Sequence, residues 1–256
     1  MTGLGASIGW GLLIGASLLA GAVVAAVAKL PDRVAALLTA FGGGILFAAV
    51  ALELVPEADR EAGAPLTVVG LLVGTLVYVG ADAALNRSAS RKAMRRSGHA
   101  AAAGGAMDLP DDADAEATRG ESIAVGLFVD GVPESLAIGL TVAEGQIGLA
   151  LLGGVVVGNL VEAYGAAQPI VAGGHSRRFA IGLLGGIGLV LALTTIIGAT
   201  LLADASPAFI GTAQATAAGA VLAVVSISIV PHAFEEVSGA AAVATVLGFI
   251  VGFVLS

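Results

Sequence analysis

Two stretches decide how this chain folds: GLFVDGVPESLAIG (126–139) and VVVGNLVEAYG (155–165). Each sets a carboxylate in the middle of an apolar run long enough to cross a bilayer. An acid at the centre of a membrane helix costs about 2.5 kcal/mol or more even on lenient scales, and such groups face the bundle interior along an ion or substrate path. Asp130 and Glu134 lie four residues apart and therefore share a helix face. Asn159 and Glu162 do the same at a spacing of three. Oxygen donors gathered in this way inside a membrane protein point to a cation site.

The rest of the chain agrees with a bilayer setting. Of 256 residues, 57% are hydrophobic and 12% charged, and 38 are glycine; the mean hydropathy is +1.00. A soluble domain of this size could not hide so much apolar surface, whereas lipid absorbs it and small residues suit close helix packing there. The fold class expected is an all-α membrane protein, a single integral domain over 1–256. Cysteine is absent, which excludes disulfides and thiolate metal sites. The net charge of −8 comes largely from acids in loops and at helix mouths, so the bilayer is the expected partner and nucleic acid is not. The first apolar run lacks a basic n-region and a small-residue cleavage site, and reads as a mature spanning helix.

Apolar length marks eight spans, at about 5–28, 34–56, 65–85, 121–142, 147–170, 179–203, 211–234 and 238–256. Short polar segments separate them: KLPDR (29–33), AEGQ (143–146), HSRR (175–178), ADASP (203–207) and EEVSG (235–239). The long connection, 86–120, starts basic, ends acidic and has few large apolar residues, so it reads as a disordered loop. His99 stands alone within it and is no metal-binding tract. Ten of the eleven basic residues fall in odd-numbered connections, Arg60 being the exception. The positive-inside rule then puts those connections, loop 86–120 included, in the cytoplasm and both termini outside. A cell membrane is the expected location.

Two pairs of spans repeat. GILFAAVALELVPEA (44–58) aligns without gaps on GAVLAVVSISIVPHA (219–233) at an offset of 175, matching Gly44/Gly219, Ala48/Ala223, Val50/Val225, Val55/Val230, Pro56/Pro231 and Ala58/Ala233. The fourth and fifth spans align at an offset of 28, pairing Gly126/Gly154, Val129/Val157 and Glu134/Glu162. Within each pair the topology runs the copies in opposite senses. Inverted repeats that meet at a midplane site with an interrupted helix are a transporter architecture. Pro133, beside Glu134, removes a backbone donor and is expected to free a carbonyl near the acids.

Three carboxylates in low dielectric cannot all stay ionised unless a cation or protons neutralise them. A divalent cation is the natural partner of Asp130, Glu134 and Glu162, with Asn159 as a neutral donor; oxygen ligands favour Mg²⁺, Mn²⁺ or Ca²⁺. The alternative is that Glu134 and Glu162 are protonated and hydrogen-bond two helices together. A second polar set lies at helix ends. Glu53 and Glu57 near the end of span two, with Asp59 and Glu61 beyond, read as an outer funnel; His232, Glu235 and Glu236 at the end of span seven read as an inner release site. Both sets are equally compatible with ordinary interfacial charge. Asp82 reads as a snorkelling structural acid, and Trp10 and Tyr78 as interface or packing aromatics. Ser122, Ser135 and Thr141 have no histidine in local reach and no His-Glu-x-x-His is present, so no enzyme is expected.

These residues resemble the ZIP family of metal-ion transporters (zinc- and iron-regulated transporter-like proteins). The resemblance spans essentially the whole chain, and its most specific piece is DGVPES (130–135), which is similar to the family's His-Asn-x-Pro-Glu-Gly motif; VPEA (55–58) is also family-like. It implies eight helices in a three-two-three inverted arrangement. Asp130 stands where the family has a metal-binding His, Gly131 at the Asn, and Glu134 at the bridging Glu. Asn159 and Glu162 occupy ligand positions on span five, whereas Gly158 replaces the family's His or Gln and span six brings no acid or His. One metal, shared mainly by Asp130, Glu134 and Glu162, is the expectation, with zinc, manganese and iron as the candidate ions and no resident cofactor.

The function expected is therefore transport of divalent metal ions toward the cytoplasm. A proton-coupled carrier using the same acids is the alternative, as is a non-transporting ZIP-like protein with a sensing or partner role. Small-residue faces such as GLLGGIG (182–188) permit helix association within a monomer or in a homodimer.

Overall fold

The computed structural model describes residues 3–28, 30–85, 127–128, 131–142, 148–172, 175–201 and 205–256. Every element among them is helical: α1 (Gly3–Val27), α2 (Asp32–Ala49, a π-helical turn Val50–Leu54, then Val55–Ala62), α3 (Ala64–Leu85), α4 (Gly131–Val142), α5 (Leu149–Ala172), α6 (Arg177–Leu201), α7 (Pro207–Val224, a π-helical turn Val225–Ile229, then Val230–Val237) and α8 (Gly239–Leu255). Six are long and apolar enough to cross a membrane: α1, α2, α3, α5, α6 and α7. The described part of α4 and the 17-residue α8 are shorter apolar helices. Loop 86–120, His99 and residues 121–126 and 129–130 of the expected fourth span lie outside the described residues.

Small residues suit close helix packing, and the larger apolar residues divide between the interior and the outer surface. On α1, Ser7 and Ala22 are buried with Ile14 and Leu18, while Leu12, Leu13 and Leu19 point outward. Helix starts follow local capping chemistry. Ser206 accepts a hydrogen bond from Phe209 N–H with Pro207 next in line, and Ser176 does the same for Phe179 N–H at 3.1 Å.

The sequence places the end of the second span at residue 56, but α2 runs on to Ala62. Pro56 does not stop it, because the turn just before it is widened. Val55 N–H reaches back five residues to Val50 O. Proline lacks a donor and presses on the carbonyl four residues back; a π turn accommodates both. The same device recurs in the second copy of the repeat, where Val230 N–H bonds Val225 O ahead of Pro231. The repeat continues to the helix ends. Gly63 closes α2 with φ 78°, and Ser238, its counterpart in the same register, closes α7 with φ 47°.

The helices carrying this repeat lie antiparallel: Gly43 faces Ile229 and Val230, whereas Gly211 faces Ala58 and Ala62. Each also pairs with a parallel neighbour, α2 with α8 and α3 with α7. A Cβ at Gly44 would strike the carbonyl oxygen of Thr245, and one at Gly248 that of Phe41. At the second crossing Gly219 meets Leu71 O and Gly74 meets Thr216 O. The second crossing copies the first in register, with Gly219 in the place of Gly44, Leu71 of Thr245, Gly74 of Gly248 and Thr216 of Phe41. Thr75 adds an interhelical hydrogen bond, its hydroxyl donating to Gly219 O at 3.1 Å. On the other side of the molecule α1 crosses α6 where Gly15 meets Gly188, and α5 lies between α1 and α2.

This packing has two testable consequences. Ser238 holds a left-handed conformation that costs a residue with a side chain about 1–3 kcal/mol, so Ser238→Gly should raise the circular-dichroism melting midpoint of the detergent-purified protein; an unchanged or lower midpoint would contradict the strain. Gly44→Ala or Gly219→Ala should lower that midpoint through overpacking of about 1–3 kcal/mol. Gly182→Ala, whose added Cβ meets nothing within 4 Å, should be neutral or stabilising.

Candidate metal centre

Pro133 lies in the described part of α4, and the next residue, Glu134, is 5% exposed. Asp130, and the carbonyl of residue 129 that Pro133 was expected to free, lie outside the described residues. α4 leans on α6: the Thr195 hydroxyl is shared between Ser135 O at 3.1 Å and Leu191 O at 3.2 Å. Leu191 also fills the space beside Gly131, and Gly139 lies against the backbone of α6 at Thr195 and Ala199. This run of parallel contacts sets the rotation of α4. It leaves Ser135 fully buried, with no hydrogen-bond partner for its Oγ among the described residues.

α5 carries the second half of the expected site. Asn159 is 2% exposed and Glu162 half-buried. Among the described residues the Asn159 Nδ2 has no hydrogen-bond acceptor. Leaving a buried polar group unmatched costs about 1–3 kcal/mol, so a side chain in this state marks either strain or a place for a ligand. One residue earlier, a Cβ built on Gly158 meets nothing within 4 Å. Gly158 and Glu162 are four apart, Asn159 and Glu162 three apart, so open space, amide and carboxylate form one continuous patch of α5. Glu134 and Glu162 are each engaged with a neighbour.

Three contacts fix α5 in place. Its Tyr164 hydroxyl, on a residue almost fully buried, accepts from Leu30 N–H at 2.7 Å and ties the helix to the α1–α2 turn. Gly21 of α1 allows close approach at Leu160 and Ala163. At the start of α5, Ala150 N–H and Leu151 N–H both donate to the Glu53 carboxylate at 3.3 Å. Glu53 comes from the π turn of α2 and satisfies donors that the first turn of a helix leaves open. A negative charge there also suits the helix dipole.

Glu53 is therefore the cap of another helix as well as a candidate funnel residue. Glu57, buried one turn on, is ion-paired with Arg60, whose side chain is largely exposed. Asp59 is exposed and Glu61 half-buried. Glu235 and Glu236 are exposed at the end of α7, and the His232 side chain lies outside the described residues. Asp82 is half-buried on α3 and engaged with a neighbour. Tyr78 is a core residue, and Trp10 lines a small apolar cleft with Ile138, Thr141 and Leu151. That cleft offers no ligand set. Among the described residues no three His, Cys, Asp or Glu side chains gather to hold a metal ion; of the three expected carboxylates only Glu134 and Glu162 are described.

Local sequence carries no sign of the Thr195, Tyr164 and Glu53 contacts, since their partners are 60, 134 and 97 or 98 residues away. Compared with known proteins, the chain matches no family model and no curated protein.

Glu53→Ala should strip the cap from α5 and lower stability by about 0.5–2 kcal/mol, the usual cost of losing such a cap. Glu53→Gln keeps an acceptor and should retain most of the melting midpoint. Equal midpoints for the two variants would remove the capping role.

Proposed function

We propose that this protein is a ZIP-like transporter that moves divalent metal cations across the membrane toward the cytoplasm. The zinc, manganese and iron class are its candidate ions, and the ligands are Asp130, Glu134, Asn159 and Glu162. The observation that carries the proposal is Glu134, a carboxylate almost wholly buried in an apolar helix, in a chain whose α2 and α7 repeat one another in opposite directions. Burying an acid in this setting is worth its cost where the charge is matched during function. The antiparallel π turns of α2 and α7, and the two glycine crossings that copy one another, support the inverted-repeat reading that the DGVPES and VPEA segments introduced.

In this reading α4 and α8 complete eight spans in a three-two-three arrangement, with both termini outside and loop 86–120 in the cytoplasm. α6 contributes no acid or histidine; its part is to hold α4 through Thr195. Glu53 and Glu57 lie at the outer end of α2 and His232, Glu235 and Glu236 at the inner end of α7, as a funnel and a release site.

Purified protein in liposomes should take up Mn²⁺, Fe²⁺ or Zn²⁺, and Glu134→Ala or Glu162→Ala should each abolish uptake while leaving the protein folded by circular dichroism. Normal uptake by both variants would sink the site. Metal-independent proton flux through the same residues would favour a proton relay, and metal binding without flux a sensing or partner role.

A further inference from the structure

α1 and α6 run antiparallel to the end of the bundle that the positive-inside rule reads as cytoplasmic. Gly11 meets Ala192, Gly15 meets Gly188 and Gly185 meets Leu19. The register carries on to the last turn of α1, where Arg177 Nη1 donates to Ala26 O at 2.9 Å. A cation there answers the open carbonyls and the dipole of a helix C-terminus. Arg178, next in line, is exposed and has neither a hydrogen bond nor a carboxylate partner among the described residues. Arg33, in the first turn of α2, is a third exposed guanidinium without a carboxylate among them.

The apolar residues beside these cations also face outward. Val27, closing α1, is 79% exposed, the highest value of any large apolar side chain among the described residues, and Val23 one turn back is exposed with it. On α6, Phe179 follows Arg178 directly, is exposed, and stacks its ring on His175 with centroids 4.3 Å apart. The acids of this end stand elsewhere. Glu235 and Glu236 lie on the Val230–Val237 segment of α7, which packs mainly against α2 and α8. The Asp32 side chain lies outside the described residues.

A phosphodiester offers paired oxygens and a negative charge, the geometry that a guanidinium fork matches. Basic pockets between membrane helices on the cytoplasmic side hold anionic headgroups in this way. A soluble phosphate would gain nothing from Val27 or Phe179, whereas a phospholipid of the leaflet covers both. We infer that the α1–α6 junction is a binding site for an anionic phospholipid, its phosphate on Arg177 and Arg178 and its acyl chains along Val23, Val27 and Phe179. Arg177 is the fixed half of the site, because its bond to Ala26 O orders the guanidinium before the lipid arrives. Arg178 is the adaptable half. The site needs the bundle to cross a bilayer and uses none of the α4–α5 acids, so it stands or falls independently of metal uptake.

The test is native mass spectrometry of the full chain released from detergent holding phosphatidylglycerol and phosphatidylcholine at equal concentration. Phosphatidylglycerol should be retained in preference. Arg178→Gln should weaken its retention about 5-fold, the worth of one basic residue near an anionic leaflet, with melting by circular dichroism unchanged, and Arg178→Lys should recover most of that loss. Arg60→Gln removes the same charge from the connection between α2 and α3, at the other end of the bundle, and should keep the wild-type preference. Equal retention of the two lipids, no effect of Arg178→Gln, or an equal loss in Arg60→Gln overturns the inference. Displacement of phosphatidylglycerol by glycerol phosphate at the same concentration would make the occupant a soluble phosphate and overturn it as well.

Discussion

Apolar side chains gain little by leaving lipid for protein, so a bundle of this composition depends on how closely its helix backbones approach. Here the approach is limited only by glycine. At Gly44, Gly248, Gly74 and Gly219 a carbonyl oxygen of the neighbouring helix stands where a Cβ would be. Dispersion falls off steeply with separation, and such contacts bring two backbones into range along a whole turn. Once α2 is joined to α8 and α3 to α7, the antiparallel contact of α2 with α7 links the pairs. Large apolar residues such as Leu72, Leu76 and Leu189 face outward, while Tyr78, Leu46 and Leu54 fill the interior.

The same helices carry a controlled defect. Pro56 and Pro231 would each break or kink an α-helix, yet both follow a π turn that takes up the lost bond within the helix. In α2 the consequence reaches beyond the helix itself. Glu53 lies in the widened turn, and its carboxylate closes the open donors of α5. The proline-driven deformation of one helix is thus joined, through one side chain, to the helix that bears Asn159 and Glu162. In α7 the position matching Glu53 is Ser228 rather than an acid, so the repeat is structural but its polar decoration is not.

Asn159 and Ser135 differ from the buried hydroxyls that bond within their own helix. Elsewhere buried hydroxyls such as Ser17, Thr39 and Thr141 bond a carbonyl of their own helix and cost little. Among the described residues Asn159 Nδ2 and Ser135 Oγ have no such outlet. Natural structures carry few atoms of this kind.

Much of the architecture was legible in the residues alone. Unbroken apolar length marks a membrane-spanning helix whatever packs on it, and α1, α3 and α6 lie close to where that length puts them. The long-range repeat was also readable, because Val-Pro-x-Ala recurs in a fixed register. Local pattern could not say that α2 continues past Pro56, since only the π turn makes that proline tolerable. Nor could it say that Glu53 caps α5, that Thr195 holds α4 or that Tyr164 pins the α1–α2 turn, for each contact joins segments at least 60 residues apart. Residue identity determined which side chains must avoid lipid, through the cost of burying charge and polar groups. Which partner each one found was left to the tertiary structure, because the partner is set by where the helices cross, and glycines decide where two backbones can meet.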